Sequence, residues 1–272
     1  MAAVSGLIRV MEKAARKAGN RLRRDFGEVE HLQVSQKGPA DFVSKADQVS
    51  ERTLYDELLA ARPGWGFVLE EGGVIEGEPG SPRWIIDPLD GTSNFLHGIP
   101  HFAISIAAQE PKLDGSGWGE VVAGVVYQPI TDETFWAEKT RGAWLQDKRL
   151  RVSGRRHLSE ALIATGIPYG GHGDFAEWSR ILGAVGPQVA GVRRYGAASL
   201  DLAWVAAGRF DGFWESDLAD WDTAAGILIV REAGGFVSDY RGRSAPILAK
   251  QVLAANDALH SRLHKILAGA LK

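Results

Sequence analysis

The chain has 272 residues, of which 45% are hydrophobic and 24% are charged, the proportions of a globular protein able to bury a core of ordinary size. Its 31 basic and 34 acidic side chains nearly cancel, which argues against nucleic acid or an anionic membrane surface as a partner. The absence of cysteine excludes disulfides, thiolate-bound zinc, iron–sulfur clusters and a cysteine nucleophile.

The N-terminal 20 residues interleave charged and apolar side chains and lack the unbroken apolar core of a signal peptide. No stretch of the chain approaches the roughly 18 apolar residues that a membrane helix needs. We therefore expect a cytoplasmic protein without a membrane segment.

The first part of the chain predicts two helices and then a series of strands. Apolar residues recur at helical spacing over residues 4–26 and 46–61, and Arg62-Pro63-Gly64 ends the second helix. Between these helices we expect a polar loop, Q-K-G-P-A-D-F-V-S-K-A-D, which carries Lys37. The strands predicted next are Gly66–Glu70, Trp84–Asp87, Phe102–Ala108, Val121–Tyr127 and Thr134–Ala137.

From about residue 150 the predicted helices and strands alternate. The helices are Phe175–Val185, Ala197–Ala207, Trp221–Ala233 and Asp257–Leu271. The strands are Leu162–Thr165, Val192–Tyr195, Phe210–Trp214, Phe236–Asp239 and Val252–Ala254. This change divides the chain into an N-terminal α+β half, 1–150, and a C-terminal α/β half, 151–272, which we expect to share an interface because no linker separates them.

Two aspartates follow a predicted strand in the segment W-I-I-D-P-L-D-G-T-S-N-F. The apolar run Trp84–Ile86 is typical of a strand buried on both faces, and Pro88 is expected to end it because proline has no N–H for the ladder. Taken alone, Asp87 and Asp90 are also compatible with a strand end and a turn cap.

The residues after Asp90 predict a tight turn and the start of a helix. Gly91 permits the turn, and Thr92, Ser93 and Asn94 are favourable helix-start residues. The free N–H groups at a helix start attract a phosphate.

Two further segments bring carboxylates to the ends of predicted elements. They are Glu70 and Glu71, before a Gly-Gly turn, and Asp217, Asp220 and Asp222, around the start of a helix. Asp222 alone is compatible with a simple helix cap. Three converging carboxylate segments supply oxygen ligands without nitrogen or sulfur, which favours Mg²⁺ or Mn²⁺ over zinc.

At these residues the sequence resembles a known family. D-P-L-D-G-T-S-N-F and W-D-T-A-A-G-I-L-I-V-R-E-A-G-G resemble the two signature motifs of the inositol monophosphatase family, and the glutamate pair resembles its third metal-binding segment. The order and spacing agree over nearly the whole chain. The chain departs from the family pattern at Leu69, where glycine is usual, and at Gly72, where serine is usual.

The resemblance implies an α/β fold, a layered αβαβα sandwich of the sugar-phosphatase type. It also implies Mg²⁺-dependent, lithium-sensitive hydrolysis of a phosphate monoester without a covalent phosphoenzyme. Two or three Mg²⁺ ions are expected for each active site, and Mn²⁺ is expected to substitute. A homodimer is expected by analogy with the family.

The resemblance also implies roles for single residues. The expected metal ligands are Glu70, Asp87, the Leu89 carbonyl, Asp90 and Asp222, with Asp87 bridging two ions whose charges the four carboxylates balance. The nucleophile is expected to be a water that the metal activates and that Glu70 and Thr92 orient. The expected substrate contacts are Gly91 and Thr92 at the phosphate and Gly196, Ala198, Glu215 and Asp222 at the alcohol portion.

Other residues are expected to support the site. The resemblance places Lys37 in a mobile loop that helps to position the water and the metal, and it gives Asp47 the role of orienting Thr92. His97 and His101 follow the first motif, and we interpret them as structural because a metal-activated water needs no histidine base.

The expected substrate is inositol monophosphate. Histidinol phosphate, fructose 1,6-bisphosphate and a 3′-phosphoadenosine nucleotide remain alternatives with the same chemistry. We expect substrate choice to depend on the loop 168–174 and on residues 193–215, where Arg193, Arg194 and Arg209 are candidate contacts for a second phosphate. A regulatory role through a protein partner, with secondary phosphatase activity, is a further alternative, although every expected metal ligand is present.

Overall fold

Two β-sheets alternate with layers of helices in the computed structural model, which describes residues 4–26, 34–38, 41–168, 173–244 and 249–271. The helices are α1 (Gly6–Phe26), α2 (Lys45–Ala61), α3 (Thr92–Leu96), α4 (Phe175–Val185), α5 (Ala198–Ala206), α6 (Asp220–Glu232) and α7 (Asp257–Ala270). The strands are β1 (Val34–Gly38), β2 (Asp41–Ser44), β3 (Gly66–Leu69), β4 (Gly73–Ile75), β5 (Arg83–Asp90), β6 (Ala103–Pro111), β7 (Trp118–Gln128), β8 (Glu133–Glu138), β9 (Gly142–Leu145), β10 (Lys148–Arg149), β11 (Leu162–Thr165), β12 (Gly191–Arg193), β13 (Gly212–Ser216), β14 (Phe236–Ser238) and β15 (Gln251–Ala255).

The larger sheet has eight strands in the order β10-β9-β8-β7-β6-β5-β3-β4 and is antiparallel except where β3 and β5 run parallel. The smaller sheet has five strands in the order β12-β11-β13-β15-β14, with β12, β11 and β13 parallel. Each sheet therefore contains a parallel pair whose carboxyl ends lie side by side. Residues that follow these strands become neighbours in space.

Three apolar cores lie between the layers and are formed by the side chains that pack across them. The first packs α1 and α2 against one face of the larger sheet, and buries α1 residues at helical spacing such as Ile8, Met11, Ala15 and Leu22. The second lies between the two sheets around α5 and α6, and the third covers the outer face of the smaller sheet with α4 and α7. The layers thus follow the predicted order αβαβα.

Helix α6 is buried along most of its length because a sheet lies on each side of it. Every residue from Thr223 to Val230 is buried, so the helix lacks a polar face. Although α6 belongs to the C-terminal half, it packs on strands of the N-terminal half. The larger sheet ends at Arg149 and the smaller begins at Leu162, but the division of the chain into two units stays a prediction.

The structure corrects two of the predicted elements in particular. The expected polar loop after α1 contains the antiparallel hairpin β1–β2, with Val34 paired to Ser44. Strand β5 does not end at Pro88 but continues to Asp90 through a shift in its register with β6. Proline is tolerated there because a bulge leaves its nitrogen outside the ladder.

No helix among the described residues combines the length and the apolar content of a membrane span.

Helices α5 and α6 approach closely at Gly226, where an added Cβ would lie 2.7 Å from Leu202 Cβ. We predict that Gly226→Ala lowers the free energy of unfolding by about 1–2 kcal/mol, because the overpacking exceeds the gain in helix propensity. The matched variant is Gly183→Ala in α4, whose Cβ would meet nothing within 4 Å, and we expect it to stabilise by about 0.5–1 kcal/mol. Chemical denaturation measures the free energy of unfolding of both variants. An equal increase for Gly226→Ala and Gly183→Ala would contradict the close approach of α5 and α6 at Gly226.

Candidate active site

The parallel pair in the larger sheet brings two carboxylates together. Leu69 of β3 pairs with Ile86 of β5, so the next residues, Glu70 and Asp87, lie side by side where the two strands end or bend. Two adjacent negative charges at a sheet edge repel each other and favour a cation between them.

A bulge in β5 places Asp90 on the same side as Asp87. The two aspartates are three positions apart, and regular alternation would send their side chains to opposite faces. Asp87 pairs with Ser105 and Asp90 with Ala103, however, so β5 contains one more residue than β6 over this interval. The extra residue restores a common direction, and both aspartates line one cavity.

Helix α6 contributes the third segment. Asp222 lies in the first turn of the helix, and its carboxylate accepts a hydrogen bond of 2.6 Å from the Ala219 N–H. The bond satisfies a free N–H at the start of the helix. Asp222 therefore caps its own helix and also faces the cavity.

The cavity has a volume of about 420 Å³ and lies where the two parallel strand pairs end. Its lining includes every residue predicted to bind metal or substrate: Glu70, Asp87, Leu89, Asp90, Gly91, Thr92, Gly196, Ala198, Glu215 and Asp222. Their individual roles stay predictions. Glu71 does not line the cavity, and its N–H instead donates to Glu51 Oε2 over 2.8 Å.

The carboxylates make the cavity strongly negative. Burial raises the pKa of Asp87 well above its ordinary value, and the charges of Glu70, Asp90 and Asp222 raise it further. Removal from water and the charge of Asp90 raise the pKa of Asp222 to about 7. For Glu215 burial is again the first cause of a strongly raised pKa, followed by the charges of Asp201, Asp222 and Asp90.

Asp90 also binds the start of α5. Its carboxylate accepts hydrogen bonds from the Ala198 N–H (3.2 Å), the Ser199 N–H (2.8 Å) and the Ser199 hydroxyl (2.6 Å). Ala197, at the N-cap position, has no side chain that could serve the same N–H groups. Burial raises the pKa of Asp90, and the bonds from Ser199 oppose that rise.

Gly91 and Thr92 hold the turn between β5 and α3. Gly91 has a φ of 93°, and a Cβ there would lie 3.0 Å from the His101 carbonyl oxygen, so both conformation and space require glycine. The Thr92 hydroxyl lies 3.0 Å from Asp47 Oδ1 and 3.0 Å from the Leu89 carbonyl oxygen. Helix α3 has five residues, so its dipole is weaker than the sequence suggested.

The donor set fits a divalent cation of the magnesium class. Glu70, Asp87, Asp90, Asp222 and the Leu89 carbonyl offer oxygen ligands alone, and the mutual repulsion of the carboxylates is relieved by a cation. Within the described ranges, no three His, Asp or Glu side chains already stand in the arrangement of a metal site. Asp90 and Asp222 are turned towards backbone N–H groups, and each carboxylate retains further lone pairs for a cation.

The two departures from the family pattern are neighbours in space. A Cβ at position 72 would lie 2.9 Å from Leu69 Cδ1, so the leucine side chain occupies space that a serine would enter. Leu69 is buried beside Glu70 at the end of β3. Glycine at position 72 thus leaves the Leu69 side chain the space that it occupies.

The cavity wall contains nine further residues: Ser93, Gly166, Ile167, Pro168, Trp178, Arg194, Ser216, Asp217 and Leu218. Pro168 belongs to the loop that was predicted to control substrate choice, and Asp217 belongs to one of the predicted carboxylate segments. Arg194 was one of three candidate arginines, and of these it alone lines the cavity. Arg209 instead pairs with Glu133 and lies over the Trp204 ring, and Arg193 lies on an exposed edge strand.

Other predicted positions are not among the described residues that line the cavity. The side chain of Lys37 and residues 169–172 of the predicted specificity loop fall outside the described part of the chain. Exposed His97 contacts the Ser93 carbonyl, whereas buried His101 lies 3.7 Å from Asp201. Burial lowers the pKa of His101 to about 4, so its imidazole is neutral at pH 7.

The raised pKa of Asp222 gives the stability of the metal-free protein a pH dependence. In the folded state Asp222 keeps its proton up to about pH 7, whereas in the unfolded chain it loses that proton near pH 4. The contribution of this protonated group to the free energy of unfolding is therefore complete below about pH 4 and is lost as the pH rises to about 7. We predict that Asp222→Asn raises the free energy of unfolding by about 1–2 kcal/mol at pH 8 and has little effect near pH 4.

Urea denaturation from pH 4 to pH 8, with a chelator present, measures this difference. Asp56→Asn on the exposed side of α2 is the control. We expect its free energy of unfolding to change with pH in parallel with that of the wild type. A parallel profile for Asp222→Asn as well would contradict the predicted repulsion.

A model of the inositol monophosphatase family matches residues 4–272. The inositol-1-monophosphatase of Rhizobium meliloti is 53% identical over 263 residues, which cover 97% of this chain and 96% of that protein. The Nus factor SuhB of Pseudomonas aeruginosa is 42% identical over 254 residues, covering 92% of this chain and 91% of that protein.

Among solved structures, the extragenic suppressor protein suhB from Bartonella henselae superposes with a TM-score of 0.91 at 50% identity, covering 97% of this chain and 98% of that one. The predicted fold and the predicted family are therefore both confirmed. The chain belongs to the inositol monophosphatase family.

Proposed function

We propose that the chain is a phosphoric monoester hydrolase that converts inositol monophosphate to inositol and phosphate. The observation that carries the proposal is the convergence of Glu70, Asp87, Asp90 and Asp222 on one cavity. Support for the substrate comes from the R. meliloti inositol-1-monophosphatase, which matches nearly the full length of the chain.

The family is magnesium-dependent, and the cavity offers the oxygen ligands that magnesium prefers. Glu70, Asp87, the Leu89 carbonyl, Asp90 and Asp222 hold two or three ions, and Mn²⁺ substitutes for Mg²⁺. When bound, the metal neutralises the carboxylates and the phosphate and makes water a better nucleophile.

Thr92 and Glu70 orient the attacking water. The Thr92 hydroxyl has one proton, and Asp47 lies within reach to accept it, so the oxygen lone pairs stay available to accept a hydrogen bond from water. Glu70 lines the same cavity, where it is a second acceptor for the water and takes up the proton that the water loses. Asp47 is buried in α2, which restrains the direction of the hydroxyl.

The phosphate and the alcohol portion of the substrate occupy opposite parts of the cavity. The N–H groups of Gly91 and Thr92 receive the phosphate at the turn after β5. Gly196, Ala198 and Glu215 contact the hydroxyl groups, and Asp222 lies near the leaving oxygen. Glu215 suits a polyol because a carboxylate accepts hydrogen bonds from two adjacent hydroxyls.

Charge in the cavity wall favours a substrate with a single phosphate. Arg194 is the basic side chain among the described lining residues, and it lies over Gly196, where an added Cβ would be 2.3 Å from the guanidinium Nη1. A bisphosphate or a phosphoadenosine nucleotide would require further cations. Inositol monophosphate needs none beyond the metal and this arginine.

A homodimer and a cytoplasmic location complete the proposal, the first by analogy with the family and the second from composition. The similarity to the P. aeruginosa Nus factor SuhB supports a second, regulatory role through a protein partner. An inactive variant that still restores the phenotype of a deletion strain would establish that role separately from catalysis.

The substrate is tested by phosphate release from inositol 1-phosphate, histidinol phosphate, fructose 1,6-bisphosphate and a 3′-phosphoadenosine nucleotide under saturating Mg²⁺. We expect kcat/KM for inositol 1-phosphate to exceed the others by at least about tenfold, since hydrogen-bonding sites reject ligands that leave their groups unpaired. EDTA should abolish the activity and Mg²⁺ should restore it. Failure to hydrolyse any inositol monophosphate would overturn the proposed substrate.

Asp222→Asn tests the role of the carboxylate cluster. We predict that it lowers kcat by at least about a hundredfold, because electrostatic stabilisation by the bound metal is lost. The matched control is Asp220→Asn, which lies in the same first turn of α6 but does not line the cavity, and should retain near wild-type activity. Equal losses in both variants would point to a disturbed helix start instead.

A further inference from the structure

Gly166 and Glu215 are neighbours in the smaller sheet. Strands β11 and β13 run parallel, and Thr165 pairs with Trp214, so Gly166 and Glu215 are the next residues of the two strands. Side chains at adjacent positions of parallel strands point to the same side of a sheet. Both residues line the cavity.

The Glu215 carboxylate lies in the space that a side chain at position 166 would occupy. A Cβ built on Gly166 would be 1.8 Å from Glu215 Oε1 and 2.0 Å from Cδ. These are the shortest such distances among the described glycines. Any residue other than glycine therefore collides with the carboxylate, which would have to move by more than an ångström.

The backbone at Gly166 is less free to move than the carboxylate. The buried Thr165 hydroxyl donates to the Gly166 carbonyl oxygen over 3.0 Å and accepts a hydrogen bond of 3.3 Å from Trp178 Nε1. Glu215, in contrast, ends a flexible side chain, and no described group donates a hydrogen bond to its carboxylate. Asp201, Asp222 and Asp90 repel the carboxylate and Arg194 attracts it, and the space that it occupies among these charges is the one above Gly166.

We propose that Gly166 is a positioning residue for substrate selection: the absence of its side chain holds the Glu215 carboxylate where it binds the hydroxyl groups of a polyol phosphate. The inference rests on the proposed function of Glu215. It assigns to position 166 a role that depends on shape alone, since Gly166 offers no group of its own that recognises a polyol.

The test compares Gly166→Ala, Glu215→Ala and the double variant on inositol 1-phosphate and on p-nitrophenyl phosphate, which has no hydroxyls. We expect Gly166→Ala to lower kcat/KM for inositol 1-phosphate about tenfold, chiefly by raising KM, and to leave the aryl ester unchanged within about twofold. Gly183→Ala, in open space on α4, is the matched control and should change neither.

The double variant separates positioning from a general disturbance. Once Glu215 is truncated, an added methyl group at position 166 has nothing to displace, so the double variant should match Glu215→Ala. Effects that multiply would overturn the proposal. So would a Gly166→Ala variant whose preference for inositol 1-phosphate stays within about twofold of wild type.

A crystal structure of Gly166→Ala distinguishes this inference from the proposed function. We expect the Glu215 carboxylate to be displaced by more than an ångström with β11 in place, and an unmoved carboxylate would overturn the proposal whatever the substrate. If the wild type prefers a different hydroxylated ester, the proposed substrate fails and the same variants are compared on that ester. If the wild type hydrolyses no ester, the crystallographic comparison alone decides.

Discussion

Electrostatic repulsion among the carboxylates of Glu70, Asp87, Asp90 and Asp222 is the constraint around which the molecule is organised. The fold holds these groups close together although each raises the cost of ionising its neighbours. Only part of that cost is offset internally, by N–H groups at the starts of α5 and α6 and at Leu89. The repulsion that is not offset favours the binding of a divalent cation. The protein therefore gains affinity for metal and loses stability when no metal is bound.

The layered architecture supplies the rigidity that this arrangement needs. Asp90 joins the larger sheet to α5, and Asp222 starts the helix that lies buried between the two sheets. A change in the separation of the sheets would therefore move the carboxylates relative to one another. The close contact of Gly226 with Leu202 fixes the spacing of α5 and α6 and thereby contributes to the geometry of a site that neither residue lines.

Much of the site was predictable from sequence because its chemistry lies in short segments. The motifs around Asp87 and Asp222 identified the carboxylates, and the order of helices and strands predicted the layers. The bulge at Pro88 was missed since a proline after an apolar run ordinarily ends a strand. Glu215 was predicted as a substrate contact, but its contact with Gly166 was missed because that contact depends on the register of two strands distant in sequence. Arg194 was named as a candidate, but only the tertiary structure distinguishes it from Arg209.

The contact between Leu69 and Gly72 couples two positions beside Glu70. A side chain at position 72 would meet Leu69 Cδ1 at 2.9 Å and Glu51 Oε1 at 3.2 Å, so the leucine would have to adopt another rotamer to admit it. The effect of a substitution at position 72 is therefore expected to depend on which residue stands at position 69, an example of epistasis between residues in contact.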